Sequence, residues 1–271
     1  MRFRRLPATS WRLIALAAIV AIAAAGCGGS GEGDKSSSQI LQDAAAAVKG
    51  SNSFHVNASV SSSNGQATFD IKVAAAGTVT GTLTIGGSTA NFVIVNGNTY
   101  FQGKAFFTQF GGAAAGDLVG DNWVLIPSSQ ASSATQGLTT FTDTSKLSSC
   151  FSSLAGNPYT KSNGSTNGES VVMLQSSQGY TIDIASSARP YPVQITGSGN
   201  ANLGSACGGA GSTSGNAGSG TINFDGWGQS FTVTPPPNPI DFSSVLGGGS
   251  SSGGSSPSPA ASPEQVTPSP S

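Results

Sequence analysis

The sequence predicts an antiparallel α+β fold, and three observations predict it. The stretch "ILQDAAAAVKG" places apolar residues at helical spacing. Eight to ten later stretches alternate apolar and polar residues with a period of two, and short turn signals, Asn96-Gly97 the clearest, join many of them as hairpins rather than as βαβ crossovers.

The elements follow in chain order. Arg2, Arg4, Arg5 and Arg12 lead into an apolar segment of 13 residues, Leu13 to Ala25. A bilayer-crossing helix needs about 20 apolar residues, whereas the apolar region of a secretory signal needs about 7 to 15 behind a basic start. Residues 1–26 therefore read as a signal peptide. The stretch Ala24-Ala25-Gly26-Cys27 resembles a bacterial lipobox, with Ala24 where leucine is usual. That resemblance implies cleavage before Cys27, diacylglycerol on its thiol with palmitate among the attached acyl groups, and a place on the outer face of the cell membrane. An ordinary secretory signal with an incidental cysteine is the alternative. Residues 27–38 have a Gly/Ser-rich composition without bulky apolar side chains and read as a flexible tether.

The domain proper is expected over 39–242. In "SSQILQDAAAAVKGSNS", Ser38 is the expected cap, the alanines favour helix and Gly50 ends it, with Ile40, Leu41, Ala44, Ala47 and Val48 on one face. Strand alternation then begins with Phe54, Val56, Ala58 and Val60, and repeats in Ala67, Phe69, Ile71 and Val73 and in Val79, Leu83 and Ile85, where Gly81 marks a bend or bulge. The stretch "NFVIVNGNTYF" is a hairpin with apolar residues on both faces. From Lys104 to Leu154 the pattern is irregular: "DNWVLIP" reads as a short strand and "LTTFTDTSKLSSCFSSL" as one or two short helices. Strand pattern returns in "ESVVMLQSS", "GYTIDIASS" and "YPVQITGSG". After the Gly-rich Asn200 to Gly220, "GTINFDGWGQSFTVTPPP" reads as a last strand pair turning at Asp225-Gly226. Residues 243–271 are Gly/Ser- and then Pro/Ser-rich, and they bury too little to repay chain ordering, so a disordered tail is expected.

Charge excludes one class of partner. Four of the 11 basic residues precede the cleavage point and none of the 12 acidic ones does, which leaves seven against twelve and a net charge of −5. Seven scattered cations make no phosphate-binding stripe, so nucleic acid is not an expected partner. Cys150 and Cys207 remain after Cys27. In an exported protein they are expected to pair, closing a loop of about 58 residues worth roughly 4 kcal/mol. No metal site is expected from two cysteines and the single histidine, His55.

Catalytic motifs fail on inspection. Gly26-Cys27-Gly28-Gly29-Ser30-Gly31 fits a dinucleotide-binding spacing but crosses the expected cleavage point, and Gly97 to Lys104 has one residue too many for a phosphate loop and Ala105 in place of Ser/Thr. His55 alternates with Phe54 and Val56 on the polar side of a strand, no nucleophile elbow accompanies it, and the carboxylates are scattered. Neither an enzyme nor a cofactor is expected; a hydrolase would have to use His55.

The ordered series "ILQDAAAAVKGSNSFHVNASV", "FVIVNGNTYF", "NWVLI" and "GTINFDGWGQSFTVTPPPNPIDF", with the lipobox, resembles the LppX/LprG-type lipoproteins of mycobacteria and related actinobacteria. The resemblance implies a strongly curved antiparallel half-barrel with helices on its concave side, an apolar cavity between them, and carriage of lipid or lipoglycan without catalysis. For such a wall the strands offer Phe54, Val56, Phe69, Phe92, Ile94, Met173, Ile182 and Ile184. The alternative is a structural or interaction lipoprotein in which the same residues fill the core and the tail contacts the cell wall. The Gly-rich loop, the two late cysteines and the Pro/Ser tail depart from the family pattern.

Overall fold

A computed structural model of the protein describes residues 31–62, 65–126, 139–201 and 218–242. The first helix, α1 (Ser37–Gly50), starts at a capping box: the Ser36 hydroxyl accepts from the Gln39 amide, and the Gln39 side chain accepts from the Ser36 amide at 3.1 Å. Ser36 is thus the cap, two residues before the expected Ser38. Ahead of it, Glu32–Asp34 form a 3-10 turn, and the Lys161 ammonium donates to the carbonyls of Gly33 and Lys35 at 2.6 and 2.7 Å. The folded body therefore begins inside the segment expected to be tether. Ile40, Leu41, Ala44, Ala45 and Val48 form the buried face of α1.

Twelve strands make one open sheet. The first group is β1 (Phe54–Ser62), β2 (Gly65–Ala74), β3 (Thr78–Ile85), β4 (Ser88–Val95), β5 (Asn98–Gln102) and β6 (Val124–Ile126), an antiparallel meander. The second is β7 (Tyr159–Thr166), β8 (Glu169–Ser176), β9 (Tyr180–Ala185), β10 (Pro192–Ala201) and β11 (Gly218–Asp225), also antiparallel. The two meanders join where β11 pairs with β1, from His55 opposite Asp225 to Ser61 opposite Ser219. A two-residue β12 (Ile240–Asp241) adds in parallel to β6. The α+β expectation holds: an open, almost wholly antiparallel sheet carries its helices on one face.

Several expectations are corrected. The strands number twelve among the described residues, against the eight to ten expected. β7, "YTKSNGST", has no apolar alternation because it is an outer strand with most side chains in solvent. The irregular region contains α2 (Lys104–Gly111) and α3 (Ala113–Val119) before β6, then a 3-10 turn Thr139–Thr142 and α4 (Thr144–Leu154). The expected last strand pair does not form: after the Gly226 turn the chain runs without strand pairing to Ile240, through Pro235, Pro236, Pro237 and Pro239, which lack the N–H a ladder requires. Gly81 causes no bulge, since β3 keeps register through it on both sides. A Cβ there would strike the Asp70 carbonyl, and one at Gly220 would strike the Ser59 carbonyl. Both glycines sit on the helix-bearing face, where a sharply coiled sheet leaves least room. No described helix is long and apolar enough to cross a membrane.

Candidate functional site

Period-two alternation sorts each strand into two faces of opposite chemistry. Inward positions facing the helices are Phe54, Val56 and Ala58 on β1, Phe69, Ile71 and Val73 on β2, Phe92 and Ile94 on β4, Val172 and Leu174 on β8, Ile182 and Ile184 on β9, and Ile222 and Phe224 on β11. None of these inward groups is ionisable. Two helix pairs cover them. α4 leans on α1, the Ser148 hydroxyl donating to the Ala45 carbonyl at 2.7 Å, and sets Phe151 edge-on against Phe224. α2 and α3 pack on each other, with Gly116 so close to Thr108 that no side chain fits between, and α2 lies over β4 and sets Phe106 on Phe101 of β5.

Between the two pairs the inward face is incompletely covered. Phe69, Ile85, Ile94, Phe106 and Phe141 adjoin the main core yet stay partly exposed. Phe141 of the 3-10 turn lies 5.5 Å from Phe69, ring centre to ring centre. On the other side a series of rings runs outward: Phe92 to Phe101 at 5.9 Å, Phe101 stacked on Phe106 at 6.1 Å, and Phe106 to Phe110 at 4.7 Å. Phe110 is 58% exposed and Leu118, on α3, is 44% exposed. Partly exposed apolar side chains thus border the packed core on β2, β3 and β4, and an aromatic margin leads from it to solvent.

The residues expected to line a cavity fall into three groups. Phe54, Val56, Phe92, Ile182 and Ile184 are wholly buried in side-chain packing, and Phe69 and Ile94 stay partly exposed at the edge of the core. Met173 is a correction: it lies on the outward face with Val171, Ala185 and Val193, directly opposite Asp183. In "SVVMLQ" apolar residues occupy both faces, so alternation alone does not show which one points inward. The margin residues that sequence reasoning missed, Phe106, Phe110 and Phe141, sit in the short helical pieces where no strand period marks them.

The outward face is a polar lattice. One register row carries Asp183, Gln194, Asn223, Asn57, Asp70, Thr82, Asn91 and Gln102, and the row one pleat away carries Thr181, Thr196, Thr221, Ser59, Thr68, Thr84 and Thr89. Amides link neighbours along the first row, Gln194 donating to Asn223 at 2.7 Å and Asn223 to Asn57 at 3.0 Å. His55 sits beside this row with Nδ1 2.8 Å from an Asp225 oxygen and Nε2 3.1 Å from an Asp70 oxygen. Both ring nitrogens thus face carboxylates, and neither is placed against a hydroxyl nucleophile. Asp183 is buried on this face: it accepts from the Thr166 hydroxyl at 2.7 Å, its Oδ1 has no partner, and burial pushes its carboxyl above the usual range against the lowering effect of Thr166. At the α4–β7 junction the Tyr159 phenol is pushed up by burial first and then by its contact with Tyr180.

Cys150 is 4% exposed on the buried side of α4. Cys27, Cys207, most of the Gly-rich loop and the tail from 243 lie outside the described residues.

No protein-family model and no curated protein matches the chain. Among solved structures, the chain is similar to LprF from Mycobacterium bovis, at 16% identity and a TM-score of 0.48 over 74% of this chain and 96% of that one. It is similar also to the Mycobacterium tuberculosis lipoprotein LppX, at 15% identity and 0.45 over 74% and 100% of the two chains. A chain of the Pseudomonas aeruginosa MucA/MucB complex aligns at 15% identity and a TM-score of 0.31, over 72% of this chain and 58% of that one.

Proposed function

We propose that the protein is an envelope lipoprotein, anchored through an acylated Cys27, that holds acyl chains on the inward face of its sheet and releases them unchanged. The observation that carries this reading is the set of inward apolar side chains left partly exposed, which we take to border an apolar groove. Large aliphatic and aromatic side chains, Phe69, Ile85, Ile94, Phe106 and Phe141, remain partly exposed there with no charged group among them. Exposed apolar surface of this kind marks ligand or partner sites. An acyl chain needs such a wall and nothing else, while its polar end can stay in water at the Phe110 margin. Ligands imagined on the outward face would meet amides and hydroxyls instead.

Native mass spectrometry of the mature chain purified from a related host tests the proposal, with a fluorescent fatty-acid probe as second readout. Co-purified lipid and saturable uptake are expected, and the double variant Phe69→Trp, Ile85→Trp, which crowds neighbouring partly exposed positions of β2 and β3, should lower uptake at least tenfold with an unchanged circular dichroism spectrum. Absence of both lipid and uptake overturns it. A second reading, a structural lipoprotein with a filled core, draws on the complete burial of Phe54, Val56, Phe92, Ile182 and Ile184; it predicts that absence. The anchor is tested by Cys27→Ser, which should abolish partition into detergent. The proposed Cys150–Cys207 disulfide is tested by thiol labelling of the unfolded, unreduced mature chain, where neither cysteine should react.

A further inference from the structure

On the solvent side of α1 lies a cleft of about 580 Å³, between the helix and the segment that joins β9 to β10. Its lining includes Glu32, Lys35 and Asp43 from the N-terminal segment and Arg189 and Tyr191 from the β9–β10 connection. Glu32 lines it while being only 5% exposed: Oε1 takes a bond from the Lys35 ammonium at 2.6 Å, and Oε2 has no partner. The same ammonium reaches Asp43 at 2.7 Å. Tyr191 is stacked on Trp227, ring centres 4.8 Å apart and planes within 4°, so its ring is fixed before any ligand arrives. Lys161 pins the Glu32–Asp34 turn from the other side through two carbonyls.

We propose that this cleft binds a neutral saccharide unit. Its two carboxylates and two cations cancel in formal charge, so an anion meets Glu32 and Asp43 and an ammonium meets Lys35 and Arg189. An uncharged ring bearing hydroxyls escapes both penalties. Each hydroxyl donates and accepts, matching the spare acceptor on Glu32 and the exposed donors of Arg189, and the fixed Tyr191 ring offers a flat wall to the sugar's C–H face. The volume falls within the range of about 300 to 1,000 Å³ common to small-ligand sites. The inference does not rest on acyl binding, because the cleft shares no lining residue with the partly exposed apolar set proposed to hold acyl chains.

The same chemistry has two sources, a glycolipid headgroup or a free oligosaccharide, and two probes separate them. The full mature chain carrying Cys27→Ser, so that no acyl group contributes, is titrated with a panel of neutral linear trisaccharides by isothermal calorimetry. It is also floated with phosphatidylcholine vesicles with and without one tenth monoglucosyl diacylglycerol. Binding to at least one probe is expected, weakened at least tenfold by Glu32→Gln and by Arg189→Ala. Binding to the trisaccharides identifies a free-glycan site; binding only to glycolipid vesicles identifies a headgroup site. No binding to either probe, or binding that survives both substitutions, overturns the proposal. Arg189 is exposed, so its substitution keeps the test independent of folding. Fatty-acid uptake followed in the same variants should not change, which keeps this outcome separate from that of the groove.

Discussion

Two side chains on the outward face show how burial decides what a charge does. Asp183 and His55 both belong to the polar lattice, but Asp183 is buried with one oxygen unpartnered, whereas the carboxylates around His55 are 57% and 63% exposed. The raised carboxyl of Asp183 means that the folded state binds its proton more tightly than the unfolded state. Its penalty is absent below the unfolded value near 4 and grows as pH rises through the folded one. Asp183→Asn should therefore gain stability relative to the native chain on going from pH 4 to pH 8, read from urea midpoints at both. A constant difference across that range would show that burial does not strain this carboxylate. His55→Ala, by contrast, removes a solvent-screened pair and should cost less than about 1 kcal/mol in the same titration.

At the scale of elements, α1 was the most legible piece of the fold and the α2–α3 pair the least. α1 declares itself by an apolar face, an alanine run and a serine-rich start, and only the choice among three adjacent serines went astray by two positions. Replacing the true cap, Ser36→Ala, should lower stability by about 1 kcal/mol, while Ser38→Ala should be close to neutral, as chemical denaturation would register. α2 and α3 hid because each is shorter than three turns and Gly103, Gly112 and Gly120, all at positive φ, break the helical period at their ends. Their mutual contact depends on the absent side chain at Gly116. Gly116→Val should raise amide exchange across 104–119 at least tenfold and leave the β1–β11 amides protected; equal loss in both would show the pair to be integral to the core. The groove margin was illegible for the same reason: Phe106, Phe110 and Phe141 are placed by helix ends and a 3-10 turn, which carry no strand alternation.

The whole molecule is two meanders sewn together along a single seam. Antiparallel pairing within each meander was readable from alternation and turn residues, but the pairing of β1 with β11 joins residues 170 apart and leaves no local signal. The order in which the two meanders join into one sheet depended on that long-range choice. Low overall charge also finds its explanation at this scale, since rows made mostly of threonine, asparagine and glutamine keep the outward face wetted with few ions. Removing residues 218–242 strips β11 from the seam and exposes two long edges, β1 and β10, at once. Such a truncated chain should aggregate on expression, seen as loss from the soluble fraction, whereas removing 243–271 should leave solubility unchanged.

The seam also sets a timetable. Asp225 must emerge before His55 can find its partner, so a growing chain spends most of its synthesis with β1 as a waiting edge and with the first meander already able to close on itself. Folding of this kind carries a high contact order and a slow final step, during which the half-made sheet is the species that any holding factor or protease would meet.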